Sequence, residues 1–208
     1  MTYDINVIRK NEHKTSSWSG GYTTQLYIYP ESSIYSDLNF IFRVSSAKVS
    51  VNESTFTSLP GINRKIMILD GTLNLKHEGH HEIKLNKFQQ DSFKGEWLTK
   101  SYGKVTDFNL MMSKGCDGNL EHIKIDCKTL KKLNLSTDID NNKEMIIIFY
   151  CLDGSVDINM DSLINLNEGD LLVLKNNKKR LYNINILNNF EKEANIIKVT
   201  TCFDKTLF

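Results

Sequence analysis

The sequence lacks a surplus of charge of either sign. Its 208 residues include 26 Lys and Arg against 25 Asp and Glu, which gives a formal net charge of +1. Proteins that bind the phosphate backbone of nucleic acids concentrate positive charge on one face, and this balance offers no sign of such a surplus. We therefore do not expect nucleic acid as a partner.

Long apolar segments are also missing. The longest apolar run, Met145–Leu152, is far shorter than the ~20 residues of a membrane-spanning helix. The first fourteen residues lack the apolar centre of a signal peptide. The 4 cysteines include no C-x-x-C pair, so we expect reduced thiols. Together these features predict a cytoplasmic protein with no membrane partner.

Short strand-like segments are abundant. Thr24–Tyr29, Phe40–Val49 and Asn195–Phe203 are rich in β-branched and aromatic residues and are followed by turn-forming residues. Leu130–Leu135 has a weak helical spacing, and we expect no more than a turn there. With 40% hydrophobic residues the chain can bury a full core. The pattern predicts an all-β sandwich or barrel.

An internal repeat divides the chain. Ile68–Leu75 (ILDGTLNL) is echoed 83 residues later by Cys151–Ile158 (CLDGSVDI). Ile83–Asn86 (IKLN) is echoed 81 residues later by Ile164–Asn167 (INLN). Each match alone is a common strand-turn-strand pattern, but two in the same order favour a duplication. A linker is expected near Ser113–Asn119, which is rich in turn formers.

Each half of the repeat resembles a cupin. The clearest piece is Leu166–Leu174 (LNEGDLLVL), which is similar to the Gly-Asp segment of that superfamily but lacks its proline. The resemblance implies a bicupin, with two cupin-like β-barrel or jelly-roll units in tandem. We assign residues 1–115 to an N-terminal unit with the ligand pocket and residues 116–208 to a mainly structural C-terminal unit.

The metal ligands implied by the cupin resemblance are absent from their positions. The superfamily holds a metal with three histidines and a glutamate. Counting back from Gly71 places Arg64 at the glutamate position, and Thr57–Pro60 contains no histidine. In the second half, the same count back from Gly154 leads to Ile147, and the second cupin motif leads to Arg180. We therefore expect no metal and no cofactor in either unit.

An arginine at the glutamate position changes which ligand the site attracts. A guanidinium presents a fixed fork of donors that fits a carboxylate. Because an unpaired charge inside a barrel is costly, an acid must face Arg64. That acid is either a small anionic ligand or a protein side chain such as Asp107. A third alternative is that Arg64 points outward from the rim.

Five blocks carry a closer resemblance. In chain order they are Trp18–Leu26 (WSGGYTTQL), Phe42–Ala47 (FRVSSA), Phe56–Arg64 (FTSLPGINR), Leu69–Gly71 (LDG) and Val105–Met111 (VTDFNLM). Together they resemble the HutD/Ves family, although Gln25 stands where that family usually has an acid. The resemblance implies a bicupin associated with bacterial histidine utilisation, which binds a small acidic metabolite to moderate the pathway.

Strand alternation pairs polar side chains within these blocks, because residues two apart share a face. Each polar face suits a pocket wall and equally suits a solvent-exposed surface. Trp18 is either a wall at the pocket mouth or a core residue. The ligand-binding residues that we predict are Arg64, Arg43, Trp18, Thr23, Gln25, Ser45, Asp107 and Asn109.

The histidines near position 80 invite a metal assignment. His77, His80, His81 and Glu82 surround a glycine turn between two strand-like segments. We expect these side chains to lie exposed at a hairpin tip, with no cysteine nearby to complete a zinc site. Gly20-Gly21 is a second weak signal, which fits a tight turn better than an anion-binding loop.

The sequence contains no recognisable Ser-His-Asp or Cys-His signature, so we assign no catalytic residue. The leading hypothesis is a metal-free carboxylate-binding protein with a regulatory or protective role. The alternative is a cofactor-free isomerase or hydrolase of a small polar acid, with Asp107 as the base. A purely structural homodimer is the third hypothesis.

Overall fold

The described part of the chain forms nineteen strands and three short 3-10 helices. The computed structural model describes residues 3–136, 140, 142–160, 162–176 and 181–207. The first eleven strands are β1 Tyr3–Ile8, β2 Lys14–Trp18, β3 Gly21–Tyr29, β4 Phe42–Val49, β5 Glu53–Thr55, β6 Asn63–Gly71, β7 Leu73–His77, β8 His81–Leu85, β9 Gln90–Lys94, β10 Thr99–Tyr102 and β11 Val105–Met112. The others are β12 Cys116–Ile125, β13 Thr129–Ser136, β14 Lys143–Asp153, β15 Ser155–Asn159, β16 Leu163–Asn167, β17 Leu171–Asn176, β18 Leu181–Asn188 and β19 Ala194–Asp204. No helix among the described residues is long and apolar enough to cross a membrane.

The strands belong to two compact units. The first unit is His13–Cys116, and the second combines Met1–Glu12 with Asp117–Phe208. The first unit has a six-stranded sheet in the order β2-β3-β4-β11-β6-β9 and a four-stranded sheet in the order β5-β10-β7-β8. The second has a five-stranded sheet, β1-β17-β14-β19-β12, and a four-stranded sheet, β13-β18-β15-β16. The described strands thus confirm the all-β prediction and give each of the two units two sheets, as in a jelly roll, without closing into one barrel.

The two units repeat the same topology. The echoed sequences fall on β6, β7 and β8 in the first unit and on β14, β15 and β16 in the second. The order β4-β11-β6-β9 corresponds to β12-β19-β14-β17, and β5-β10-β7-β8 corresponds to β13-β18-β15-β16. Eight strands therefore match one for one, which supports the duplication inferred from the sequence.

The first twelve residues belong to a different unit from the one expected. The sequence assigned them to the N-terminal unit, whereas β1 pairs along its length with β17 of the second unit. Asp170 fixes this connection by accepting hydrogen bonds from Arg9 Nη1 at 2.7 Å and from the Lys10 amide at 3.0 Å. At the other end of the first unit, β11 ends at Met112 and β12 begins at Cys116.

Each unit has an apolar core contributed by both of its sheets. In the first unit Ile66 and Ile68 of β6 pack with Leu73, Leu75 and other buried side chains. In the second unit β14 and β15 supply the corresponding residues. Leu130–Leu135, expected to be a turn, is instead the main part of β13, which pairs with β18. Leu133 and Leu135, two residues apart, share the face that packs on the core, whereas Leu130 lies on the other face and is exposed.

Candidate ligand-binding site

A cavity of about 340 Å³ lies in the first unit. This volume suits a small metabolite. Seven of the eight predicted ligand-binding residues line it: Trp18, Thr23, Arg43, Ser45, Arg64, Asp107 and Asn109. Further lining residues, which the sequence did not indicate, include Ser16, Tyr35, Phe56, Thr57 and Met111. Polar side chains of β3, β4, β6 and β11 therefore line one shared cavity, which is open to solvent beside Trp18.

The sheet register brings the two arginines together. Met111 of β11 is paired with Arg43 of β4 on one side and with Arg64 of β6 on the other. Neighbouring strands are about 4.8 Å apart, so the two arginine backbones are separated by roughly 10 Å. Their long side chains reach into the same cavity from either side of Met111. The wall thus carries two guanidinium groups in one row.

Arg64 is buried and incompletely hydrogen bonded. Its exposed fraction is 7%, which excludes the outward orientation considered from the sequence. Its Nη2 donates to Asn109 Oδ1 at 3.1 Å, while Nε has no hydrogen-bond partner. The guanidinium carbon lies 4.8 Å from the centre of the Phe56 ring and 5.0 Å from that of Phe93. Burial lowers the pKa of Arg64 to about 10, so it stays charged at neutral pH.

Arg43 is held by polar neighbours on its own side of the wall. Its Nε donates to Gln25 Oε1 at 2.9 Å, and its Nη1 donates to Ser45 Oγ at 3.2 Å. The guanidinium carbon lies 4.2 Å from the centre of the Tyr35 ring. Gln25, the eighth predicted residue, is not part of the cavity wall. Its structural role is to orient Arg43.

Asp107 is the only acid among the lining residues, all of which the structure describes. It is 3% exposed, and burial raises its pKa to about 7, although the charge of Arg64 lowers it in part. Asn109 connects the two groups, because its Nδ2 donates to Asp107 Oδ1 and its Oδ1 accepts from Arg64. The cavity therefore has a net positive charge, which grows when Asp107 takes up a proton.

Trp18 lies at an exposed part of the cavity wall. Its side chain is 39% exposed, so it is not a core residue. Gly20 packs against this ring, and a Cβ at that position would lie 2.0 Å from it, so the exposed indole would have to move. A Cβ on Gly21 would lie 1.9 Å from the Lys48 carbonyl oxygen. The double glycine thus permits a tight hairpin and close packing, as the sequence indicated.

The corresponding interior of the second unit is apolar. The repeat places Ile147 where the first unit has Arg64, and Ile147 is buried in the hydrophobic core. Asp107 pairs with Ile68, and the equivalent pair in the second unit is Ile196 with Cys151. Both of those residues are also in the core. Arg180, reached by the second cupin motif, lies outside the described residues.

The expected exposure of the histidine hairpin is wrong for His77. This residue ends β7 and is 1% exposed, with hydrogen bonds to Thr99 and Asp91. His81 begins β8 and is half-buried, whereas His80 is exposed in the turn. The turn signal around Gly79 located the hairpin correctly. That signal could not show that β9 of the other sheet covers one side of the hairpin.

The arrangement in the cavity is suited to holding an anion. Two guanidinium groups, the hydroxyls of Ser45 and Thr23 and the amide of Asn109 offer donors, and Phe56 supplies an apolar wall. Among the lining residues there is no histidine and no cysteine. Binding through hydrogen bonds and charge is therefore the chemistry that these side chains support most directly.

Comparisons with known proteins agree with this architecture. A family model for HutD matches residues 10–189. A conserved protein of unknown function from Pseudomonas aeruginosa PAO1 has 17% identity and a TM-score of 0.78, with 95% of this chain and 98% of that chain covered. HutD from Pseudomonas fluorescens has 19% identity and a TM-score of 0.68, with 94% and 98% covered.

More distant structures share only the fold. Oxalate decarboxylase from Lactobacillus farciminis has 6% identity and a TM-score of 0.68, with 96% of this chain and 88% of that chain covered. No curated protein sequence matches the chain at a significant level. The structural neighbours show a cupin-like fold, and the family model extends over most of both units. The chain belongs to the HutD family.

Proposed function

We propose that the first unit binds a small carboxylate metabolite, with Arg64 and Arg43 as the anion receptors. Ser45, Thr23 and Asn109 supply hydrogen bonds around the ligand, and Trp18 covers it at the mouth of the cavity. The second unit, with isoleucine in place of Arg64, has a structural role. The function is regulatory or protective, through capture of the metabolite rather than through its conversion.

The observation that carries this proposal is the unsatisfied Nε of Arg64. A buried donor without a partner costs about 1–3 kcal/mol, and more when the group is charged. The Asn109 amide oxygen and the two aromatic rings only partly compensate the guanidinium. A carboxylate in the cavity would supply the missing acceptor and would add negative charge to that of Asp107, whose raised pKa limits its ionisation.

The descriptions of related structures support a carboxylate as the ligand class. The Pseudomonas fluorescens HutD structure was obtained in a formate condition, and the Lactobacillus farciminis oxalate decarboxylase is a formate complex. Family membership adds an expectation of a place in histidine utilisation. Acids of that pathway, such as urocanate and N-formylglutamate, are therefore the first ligands to test.

The test is a thermal-shift and calorimetric screen of these acids together with formate and oxalate. A ligand that binds only the folded state raises the melting temperature. We expect Arg64→Ala to abolish the shift while the protein remains folded. Lys65→Ala is the matched control, since Lys65 is the next cation on β6 and contacts Ser92 instead of the cavity. An unchanged response in Arg64→Ala would refute the assignment.

The position of Asp107 favours a second candidate function, a cofactor-free isomerase or hydrolase. A carboxyl group with a pKa of about 7 inside a polar cavity is suited to proton transfer near neutral pH. Incubation of the acids that bind, followed by chromatography, separates the two functions. Turnover that disappears in Asp107→Asn, with binding retained, would establish catalysis.

A further inference from the structure

Three potential metal ligands converge at one end of the first unit, outside the anion cavity. His77 Nε2 and His81 Nε2 each lie 3.0 Å from the same oxygen, Asp91 Oδ2. The ligand atoms of all three side chains lie within 4.8 Å of one another. Atoms bound to one zinc ion at about 2.0–2.2 Å are separated by roughly 3.3 Å, so small movements would complete the site.

The strands place these groups with little freedom. Thr99, His77 and His81 form one row across β10, β7 and β8 of the four-stranded sheet. Asp91 belongs to β9, at the edge of the six-stranded sheet. An ion held by all three side chains would therefore connect the two sheets of the unit. Because the three side chains belong to strands, their positions are held more rigidly than they would be on a loop.

The hydrogen bonds around His77 favour a metal-binding tautomer. Thr99 Oγ1 donates to the Trp97 carbonyl at 3.3 Å and lies 2.8 Å from His77 Nδ1. With its own proton used, the hydroxyl accepts the Nδ1 proton of His77. The Nε2 lone pair of a neutral His77 then points at the Asp91 carboxylate, which is repulsive unless a proton or a metal ion lies between them. Metal-binding histidines commonly have their other nitrogen fixed in this way.

The three side chains also leave room for a further ligand. The His77 side chain is fully buried and that of Asp91 is 12% exposed, whereas that of His81 is 38% exposed. Solvent can therefore reach the His81 side of the cluster. Imidazole nitrogens with a carboxylate favour zinc and other first-row transition ions over calcium and magnesium. Three protein ligands with an open position match that class.

We propose that His77, His81 and Asp91 bind one divalent transition-metal ion, represented by Zn²⁺. The site lies apart from the carboxylate cavity, because none of its three residues lines that cavity. It stands independently of the function proposed above, and Arg64→Ala should retain it. The ion would hold β7, β8 and β9 together and expose one coordination position to solvent.

The first experiment is isothermal titration calorimetry of the full, tag-free chain with Zn²⁺ after treatment with a chelator. We expect one equivalent to bind per chain. His81→Ala and Asp91→Asn should each weaken binding by at least about 100-fold, since loss of groups that merely support a ligand already costs about 10–100-fold. His80→Ala is the matched control and should bind like the wild type, because the exposed His80 is outside the cluster.

A second measurement does not depend on the folding of those variants. Trp97 lies beside the cluster, with ring centroids 5.7 Å from His77 and 6.0 Å from His81. In Trp18→Phe, Trp97 is the remaining one of the 2 tryptophans. We expect Co²⁺ to quench its fluorescence with one equivalent and Zn²⁺ to reverse the quenching by competition.

Three results would overturn the proposal. One is the absence of stoichiometric Zn²⁺ binding and of Co²⁺ quenching in the otherwise wild-type chain. Another is wild-type affinity in folded His81→Ala and Asp91→Asn, which would mean adventitious binding elsewhere. The third is loss of binding in His80→Ala with retention in His81→Ala.

Discussion

Asp107 destabilises the folded chain when it is ionised. Its pKa rises from the ordinary 3.8 to about 7, mainly because burial penalises the charged form. Between these two pH values the folded state binds a proton that the unfolded state has released. The free energy of unfolding therefore falls as the pH rises through this window, and the loss is complete above pH 7.

The substitution Asp107→Asn should remove this pH-dependent loss of stability. We expect the variant to match the wild type near pH ~4 and to exceed its stability by roughly 2–4 kcal/mol near pH ~8, at about 1.4 kcal/mol per pKa unit. Urea unfolding at both pH values measures the difference. Asp70→Asn, at an exposed acid of β6, serves as the control and should keep the pH dependence of the wild type, because Asp107 is unchanged. A variant less stable than the wild type at pH ~8 would mean that ionised Asp107 stabilises the fold through Arg64.

Individual site residues were predictable where they lie on regular strands. Arg64 followed from counting back from Gly71, and Arg43, Ser45, Asp107 and Asn109 followed from alternation, because a strand fixes which side chains share a face. Tyr35 was missed since it belongs to a 3-10 turn, Tyr35–Asp37, that has no such period.

The histidine cluster shows a different limit of sequence reasoning. His77 and His81 are cross-strand neighbours in a hairpin, which the turn signal located correctly. Their third partner, Asp91, comes from a strand of the other sheet. The packing of one sheet on another leaves no local trace in the sequence, so neither the burial of His77 nor the convergence on Asp91 could be read from it.

The Gly-Asp turn before β17 is the element that attaches the N-terminal strand. Asp170 accepts hydrogen bonds from the Asn167 amide at 3.0 Å and from Arg9 and the Lys10 amide. Burial raises its pKa, but these hydrogen bonds outweigh that effect and leave the pKa below its usual value. The cupin-like Gly-Asp pattern therefore has a structural cause in this family member, which is the docking of β1.

Asp170→Asn should destabilise the second unit. An amide nitrogen would replace one oxygen that accepts from backbone donors, at a cost of about 2–4 kcal/mol. In the wild type this contribution is present above pH ~4, where the unfolded carboxyl is ionised, and is lost as the pH falls below that value. Chemical unfolding of the two proteins at pH ~7 and at pH ~3 checks both statements.

Glu168→Gln is the matched control for this change. Glu168 is exposed and contacts the Lys10 ammonium at 2.8 Å, which is a surface ion pair. Such pairs contribute only about 0–1 kcal/mol. Equal effects of the two substitutions would show that Asp170 acts as a surface charge and not as an acceptor for buried donors.

The molecule combines two copies of one topology with different interiors. In the first unit the positions of Arg64 and Asp107 carry charge around a cavity, whereas the second unit has Ile147 and Ile196 in a closed apolar core. Duplication lets one copy keep a full core while the other accepts buried charges that reduce stability. The repeat was visible in the sequence because turn residues such as Gly71 and Gly154 are constrained in both copies, with φ of 86° and 75°.

Removal of residues 1–12 should therefore weaken one unit and spare the other. The deletion takes away β1, the partner of β17, together with Ile5 and Val7, which pack against the second core. We expect the free energy of unfolding of the second unit to fall by a few kcal/mol. In a unit of this size, that lowers the melting temperature by at least about 10 °C, at roughly 4–8 °C per kcal/mol. The deletion leaves the cavity of the first unit complete, since its lining begins at Ser16.

Two optical probes separate the units in this experiment. Trp18 and Trp97, the 2 tryptophans of the chain, both belong to the first unit, so their fluorescence reports on that unit. Far-ultraviolet circular dichroism reports on the strands of both. In the truncated chain we expect part of the dichroism signal to melt early while the fluorescence midpoint and carboxylate binding remain near the wild-type values. A joint fall of both midpoints would mean that the units unfold as one cooperative body, because stability lost from β17 would then be shared by the strands around Arg64.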